Sequence, residues 1–292
     1  MKPDIRCNDN LMELKKIPSN SINLVYIDPP FRTNREFNDF TDTWKSMNEY
    51  LHFMKPRMIE LQRVLKNDGA IYIHSDHHAS HHLKFMMDEV FGEKNFINEI
   101  IWKRKNASAV VKSKARSFGH NHDTIFIYSN GGRPPFHLIE QEIEMPRSSY
   151  LLDKNGKPYK SSPIGGNVPK TIDRLLNEGV AYKTKNNKVR LKIYLKEHDG
   201  KVYDTRPIDN IWNDIQGMGN TKLQERTGYS TQKPEKLLNR IITASSNAGD
   251  TVLDAFAGSG TTCAVATKLG RKSICIDVNP KSCNMMKKRL KK

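Results

Sequence analysis

Apolar residues run almost unbroken from Ile22 to Ile27 and stop at Asp28-Pro29-Pro30, which predicts a short buried strand ended by prolines. Downstream the period changes. Leu51, Met54, Met58, Leu61 and Leu65 recur at three- and four-residue steps, predicting a helix from about Glu49 to Lys66. Asn67-Asp68-Gly69 predicts its end, and Ala70 to Ile73 reads as the next strand. A helix near His78 to Phe91 and strands at Asn98 to Trp102 and Thr124 to Tyr128 follow. From about Gly131 to Thr227 the apolar runs shorten and Lys, Asn, Gly and Pro dominate; Arg190 to Leu195 alternates charged and apolar side chains, as a half-exposed strand does. Regular alternation resumes near Lys233-Pro234: a helix to about Ser245, a turn at Asn247 to Asp250, strand Thr251 to Asp254, a glycine loop, helix Thr261 to Leu269 and strand Ser273 to Asp277. Strand, loop, helix and strand in this order predict a βαβ unit and a parallel sheet. The expected organisation is residues 1–130 and 229–292 as two halves of one α/β domain, with a small irregular module at 131–228 between them.

Composition agrees with one α/β domain plus an inserted module: 292 residues, 37% hydrophobic. No apolar stretch approaches the ~20 residues of a membrane-spanning helix, and MKPDIRCNDN has no signal-peptide pattern, so a soluble intracellular protein is expected. Cys7, Cys263, Cys275 and Cys283 form no C-x-x-C pair, which predicts neither a disulfide framework nor a cysteine zinc site. The net charge of +16 suits a nucleic-acid partner, and equally suits a Lys- and Asn-rich composition from an AT-rich genome.

Candidate chemistry lies at two strand ends. Asp254-Ala-Phe256-Ala257-Gly258-Ser259-Gly260-Thr261-Thr262 is a loop whose glycines let backbone approach a ligand, and Asp277 ends the next strand 23 positions after Asp254, near the ~20-residue spacing at which a carboxylate meets ribose hydroxyls. The full G-x-G-x-x-G of dinucleotide sites is absent, and the acidic strand end suits a positively charged amino-acid cofactor such as S-adenosylmethionine. The other strand end is Asp28-Pro29-Pro30-Phe31. An exocyclic amino nitrogen is a poor nucleophile because its lone pair is conjugated with the base. The Asp28 carboxylate and a carbonyl of the rigid proline segment can accept its N–H bonds, and Phe31 can stack on a base taken out of the duplex. Both segments follow strands expected to be parallel, which places Asp28 and Gly258 in one crevice although 230 positions separate them.

At these residues the chain resembles the amino-methylating DNA methyltransferases, marked by a D-P-P-Y/F tetrad and an F-x-G-x-G loop. Catalytic motif first and cofactor loop last resembles their β group, and the modification subunits of type III restriction systems look especially similar. Thr231-Gln232-Lys233-Pro234 and Ile71-Tyr-Ile-His74 extend the resemblance over nearly the whole chain. It implies a Rossmann-like S-adenosylmethionine-dependent methyltransferase fold with circularly permuted motifs and an inserted DNA-recognition module. It implies that the Asp254 to Thr262 loop holds the methionine part of the cofactor, Asp277 the ribose, Asp9 the adenine end and Lys233 the carboxylate. The local reading of Asp9 is a helix N-cap before Leu11 to Lys16. Double-stranded DNA is the implied partner, a second copy of the chain and a restriction subunit stay open, no membrane is implied, and the setting is a prokaryotic or phage-encoded cytoplasmic protein. An Asp-type tetrad favours N6 of adenine; N4 of cytosine remains the alternative, followed by RNA or protein amides and an inactive DNA-binding regulator. C5-cytosine transfer needs a Pro-Cys segment, which is missing.

Three further patterns lie outside these motifs. His74, His77, His78, His81 and His82 lack the H-E-x-x-H pattern, so a helix start and no metal is expected. Lys103-Arg104-Lys105 and Lys112 to Arg116 read as a basic loop for phosphate contact, and Lys287 to Lys292 as a solvated helix end.

Overall fold

The computed structural model describes residues 2–37, 39–105, 118–165 and 169–290. The chain divides into two compact units: residues up to His137 together with those from Asp209 onward, and Leu138–Ile208. The first unit opens with β1 (Asp4–Cys7), α1 (Asn10–Leu14), β2 (Ile22–Ile27) and a small hairpin of β3 (Arg35–Glu36) and β4 (Thr41–Asp42). It continues with α2 (Met47–Val64), β5 (Leu65–Ser75), α3 (Ser80–Phe91), β6 (Phe96–Lys103) and β7 (His122–Ser129). The second unit holds β8 (Glu140–Glu144), β9 (Leu151–Leu152), β10 (Pro158–Pro163), α4 (Pro169–Asn177), β11 (Ala181–Lys183), β12 (Val189–Tyr194), β13 (Lys196–His198) and β14 (Lys201–Pro207). The chain then returns to the first unit through β15 (Ile211–Trp212), α5 (Glu235–Ala244), β16 (Thr251–Asp254), α6 (Thr261–Lys268), β17 (Lys272–Asp277) and α7 (Pro280–Arg289).

The first unit is built on one eight-stranded sheet in the order β1-β17-β16-β2-β5-β7-β6-β15. Every neighbouring pair is parallel except the two made by β7, so β7 alone is reversed. The expected parallel α/β sheet is therefore present. Leu24, Val25 and Ile27 are fully buried, as a central parallel strand covered on both faces requires. Helix α2 lays Met54, Met58 and Leu61 into the same core. Its start is held by Ser46, whose hydroxyl accepts the Glu49 N–H at 3.1 Å, while Glu49 accepts the Lys45 N–H at 2.6 Å.

Asn67-Asp68-Gly69, read from sequence as a turn, lies inside β5. Its polar backbone is satisfied from outside the strand: Asn67 N–H donates to Asn20 Oδ1 at 3.1 Å, and Asn67 C=O accepts from Gly132 at 2.8 Å. The cysteines, expected to form no disulfide framework, include one pair. Cys263 on α6 and Cys275 on β17 form a disulfide with Cα atoms 6.3 Å apart, a pairing across a helix–strand contact that no C-x-x-C spacing announces.

The second unit contains two antiparallel sheets, β11-β12-β10-β9 and β13-β14-β8, whose strands are mostly half-exposed or exposed. It is narrower than the stretch whose pattern weakens, since residues 209–228 belong to the first unit, where β15 pairs with β6. Lys112 to Arg116 lie outside the described residues. Among the described residues, no helix is long and apolar enough to cross a membrane.

Candidate active site

Strands β2 and β16 are sheet neighbours, with Val252 opposite Leu24 and Leu253 opposite Val25. Their carboxyl ends therefore deliver Asp28 and the Asp254–Gly260 loop side by side. On the far side of β16, β17 pairs with β1 so that Asp277 lies opposite Cys7, which brings Asp9 close. These strand ends surround a cavity of about 500 Å³. Of the residues expected at a site, Asp9, Asp28, Pro30 and Lys233 line it, as do Asp254, Phe256, Ala257, Gly258, Ser259, Thr261 and Asp277. Pro29, Phe31 and Gly260 are adjacent in sequence to these residues and are not part of that lining.

The glycine loop is pinned by the two acidic strand ends. Phe256 N–H donates to Asp254 Oδ1 at 3.0 Å, the Thr262 hydroxyl to Asp254 Oδ2 at 2.5 Å, and Gly258 N–H to Asp277 Oδ2 at 2.8 Å. Gly258 has φ +49°, and a Cβ there would come within 3.0 Å of the Tyr229 ring. Burial pushes the Asp254 carboxyl up to about 7, helped by Asp28 and Asp277 and opposed by the hydrogen bonds from Thr262 and Phe256. Burial raises Asp277 too. A carboxyl raised by folding adds stability that is complete below about pH 4 and is lost as pH rises through about 7. Unfolding of the ligand-free protein in urea is thus expected to need less denaturant at about pH 8 than at about pH 6, with a clearly smaller drop in Asp254→Asn. Identical pH profiles for the two proteins would show that Asp254 does not titrate in this range.

Asp9 does two things at once. Its Oδ1 caps α1 by accepting the Met12 N–H at 3.2 Å, and its Oδ2 accepts from Arg57 Nη2 at 2.7 Å.

Asp28 Oδ2 is paired with Lys233 Nζ, while Asp28 Oδ1 is buried without a hydrogen-bond partner among the described residues. Lys233 Nζ also lies 5.2 Å from the Phe31 ring centre. Phe31 rests on His74, with ring centres 5.8 Å apart. Behind it runs a buried chain that sequence reasoning missed: Tyr26 Oη to His74 Nδ1 at 2.8 Å, His74 Nε2 to Asp123 Oδ2 at 3.2 Å, and Arg104 Nε to Asp123 Oδ1 at 2.7 Å. Burial works to raise the Asp123 carboxyl, but the His74 hydrogen bond and the charges of Lys233 and Arg104 prevail and hold it at about 2. Arg104, expected on phosphate, is paired here with Asp123, its side chain 31% exposed. The I-Y-I-H pattern and the histidine cluster draw attention to His74, but neither points to Tyr26 or Asp123 as its partners.

The small hairpin was also missed. Asp39 Oδ2 accepts both the N–H and the hydroxyl of Ser230 at 2.9 Å, and its C=O accepts Asn279 Nδ2 at 2.5 Å, so residues near Phe40 wall the cavity. Asp76, His77 and His78 bring one ligating atom each within 4.8 Å of one another; the Asp76 carboxylate is engaged by the His78 N–H and ring at 2.9–3.0 Å and forms the turn that opens α3. Arg289, read as part of a solvated helix end, instead reaches inward to Glu235 at 2.8 Å and to the Thr261 hydroxyl at 3.1 Å; Lys291 and Lys292 lie outside the described residues.

A family model described as DNA methylase matches residues 22–288. The chain is 29% identical over 307 residues to type II methyltransferase M.EcaI of Enterobacter cloacae, a match that takes in 92% of this chain and 65% of that protein. It is 28% identical to DNA adenine methyltransferase YhdJ of Escherichia coli K12, over 97% of this chain and 80% of YhdJ. With the type III restriction-modification enzyme StyLTI Mod subunit of Salmonella typhimurium it shares 26% identity, over 87% of this chain and 48% of the subunit. The chain thus spans from about half to four-fifths of the length of these relatives. Among solved structures, the cytosine-N4-specific PvuII DNA methyltransferase has the same fold, with a TM-score of 0.63 at 17% identity over 99% of this chain and 86% of that one. The family match begins in the strand that carries Asp28 and ends in the helix after Asp277, and only Asp9 and Asn10 of the cavity wall fall outside it: the chain belongs to the DNA methylase family of N6- and N4-directed enzymes.

Proposed function

We propose that the chain transfers a methyl group from S-adenosylmethionine to N6 of adenine in double-stranded DNA. The observation that carries this reading is the second oxygen of Asp28, an acceptor buried on the cavity wall and left without a partner. A buried unmatched acceptor costs free energy that an N–H donor from a ligand recovers. A base amino group offers that donor, a carbonyl of the Pro29-Pro30 segment offers a second acceptor, and the two together turn the nitrogen lone pair out of conjugation. Taking the base from the duplex costs a few kcal/mol, which stacking on Phe31 helps to offset.

The cavity fits the methyl donor. Five carboxylates, Asp9, Asp28, Asp39, Asp254 and Asp277, line it together with one lysine, Lys233. That balance suits a ligand carrying a sulfonium and an ammonium as well as one carboxylate. Trp44, Phe53 and Phe256 supply apolar wall for an aromatic ring. When bound there, S-adenosylmethionine supplies an electrophilic methyl group; Asp254 and Asp277 hold the glycine loop that positions it. Adenine is favoured by the Asp-type tetrad and by the relative named as a DNA adenine methyltransferase. The Leu138–Ile208 unit is assigned to target recognition. It carries fourteen Lys and Arg against nine Asp and Glu, a surplus suited to phosphate contact.

The test is incubation with methyl-labelled S-adenosylmethionine and unmethylated duplex DNA, digestion to nucleosides, and identification of the labelled one by mass. N6-methyl-2′-deoxyadenosine is expected. Label on N4-methyl-2′-deoxycytidine would overturn the choice of base, and unlabelled DNA beside demonstrable cofactor binding would overturn DNA as substrate for the chain alone.

A further inference from the structure

Among the described residues, Lys233 is the only Lys or Arg lining the cavity, against five aspartates, so it is the one described side-chain cation there that can meet an anionic group of a ligand. It is already committed. Its ammonium holds Asp28 and stands beside the face of Phe31, the two groups assigned to the target base. The side chains of the pair are only 12% and 17% exposed, so water screens their attraction weakly. The Lys233 backbone is tethered: its C=O accepts the Thr261 hydroxyl at 3.2 Å, and Thr261 is in turn held by Arg289. Pro234 restricts it further. What remains free to move is the four-carbon stem that carries the ammonium.

We propose that Lys233 exchanges between Asp28 and the carboxylate of the cofactor, so that cofactor binding releases Asp28 for the base and sets the order cofactor first, base second. The inference rests on the S-adenosylmethionine reading above. The two carboxylates compete for one ammonium, so whatever removes the first must strengthen the second. A base amino group arriving before the cofactor finds one Asp28 oxygen taken and a cation over the ring on which it would stack. With the cofactor in place, both are cleared. Lys233 acts here as a positioning residue for Asp28.

The experiment is calorimetric titration of the full chain with two thioether probes, which lack the sulfonium and so cannot donate a methyl group: S-adenosylhomocysteine, which has the carboxylate, and 5′-methylthioadenosine, which lacks the whole amino-acid end. In Asp28→Asn the dissociation constant for S-adenosylhomocysteine is expected to fall about tenfold, the equivalent of ~1.4 kcal/mol, while that for 5′-methylthioadenosine stays within twofold. In the Lys233→Met background the same Asp28→Asn change is expected to produce no gain. A gain that persists without Lys233 would be plain charge repulsion and would overturn the exchange, as would unchanged affinity in Asp28→Asn. Wild-type protein binding neither probe would overturn the cofactor reading itself, an outcome distinct from both. A measurement on unaltered protein guards against misfolded variants. The ¹⁵Nζ signal of Lys233, assigned by its loss in Lys233→Arg, should shift with S-adenosylhomocysteine and not with 5′-methylthioadenosine; a signal unmoved by either overturns the exchange.

Discussion

Replacing Asp28 with alanine is expected to lower kcat for methyl transfer at least ~10³-fold while the protein still folds and still binds the cofactor. Removing one preorganised polar group from a reacting centre typically costs about 10²–10³ in rate, and losing the alignment of nitrogen with methyl group adds to it. The fold should survive because Asp28 lies past the end of β2 and its carboxylate makes one side-chain contact, to Lys233, with one oxygen unmatched. Asp28→Asn keeps an acceptor of the same shape and loses the charge, so its rate should fall between the two. Initial rates at saturating DNA and cofactor decide the matter. An alanine variant within tenfold of wild type would remove Asp28 from the chemistry.

The largest effect on stability is expected at Gly260→Val, a loss of about 2–5 kcal/mol, with cofactor binding lost in parallel. Two costs add. Gly260 has φ +76° at the start of α6, a conformation that costs an L-residue about 1–2 kcal/mol. A Cβ there would also lie 2.5 Å from Cγ and 3.3 Å from Cβ of Met286, which is fully buried, and overpacking of this kind costs about 1–3 kcal/mol. Urea unfolding of the ligand-free protein measures the sum. A loss below ~1 kcal/mol would mean that α7 yields easily and that the loop does not depend on the helix behind it.

What the sequence discloses is local or carried by periodicity. Strand β2 is legible because a central parallel strand is apolar on both faces, and the α2 stripe because one side of it meets the sheet. That Asp28 and Gly258 share a cavity follows from parallel strands ending together, even though only the structure shows that β2 and β16 are direct neighbours. Illegible are contacts that leave no periodic imprint. Asp39 joins the hairpin to Ser230 across 191 positions, Lys233 meets Asp28 across 205, and His74 meets Asp123 across 49. Asn67 to Gly69 misled for a related reason: turn chemistry predicts a turn only when no neighbour satisfies the backbone. The lysine-rich end of α7 misled because charge alone does not say that Arg289 has a buried partner.

The Leu138–Ile208 unit leaves and rejoins the chain through adjoining residues, since Ile208 N–H donates to Ile139 C=O at 2.9 Å. A segment whose two ends already meet behaves as a cassette. Its replacement by another of different length, with ends equally close, makes no demand on the spacing of β7 and β15, because loop-closure cost grows only slowly with the number of residues enclosed. Under the target-recognition assignment proposed above for this unit, lineages carrying this sheet change the DNA sequence they recognise by exchanging one continuous stretch of gene, without re-evolving the chemistry that acts on it.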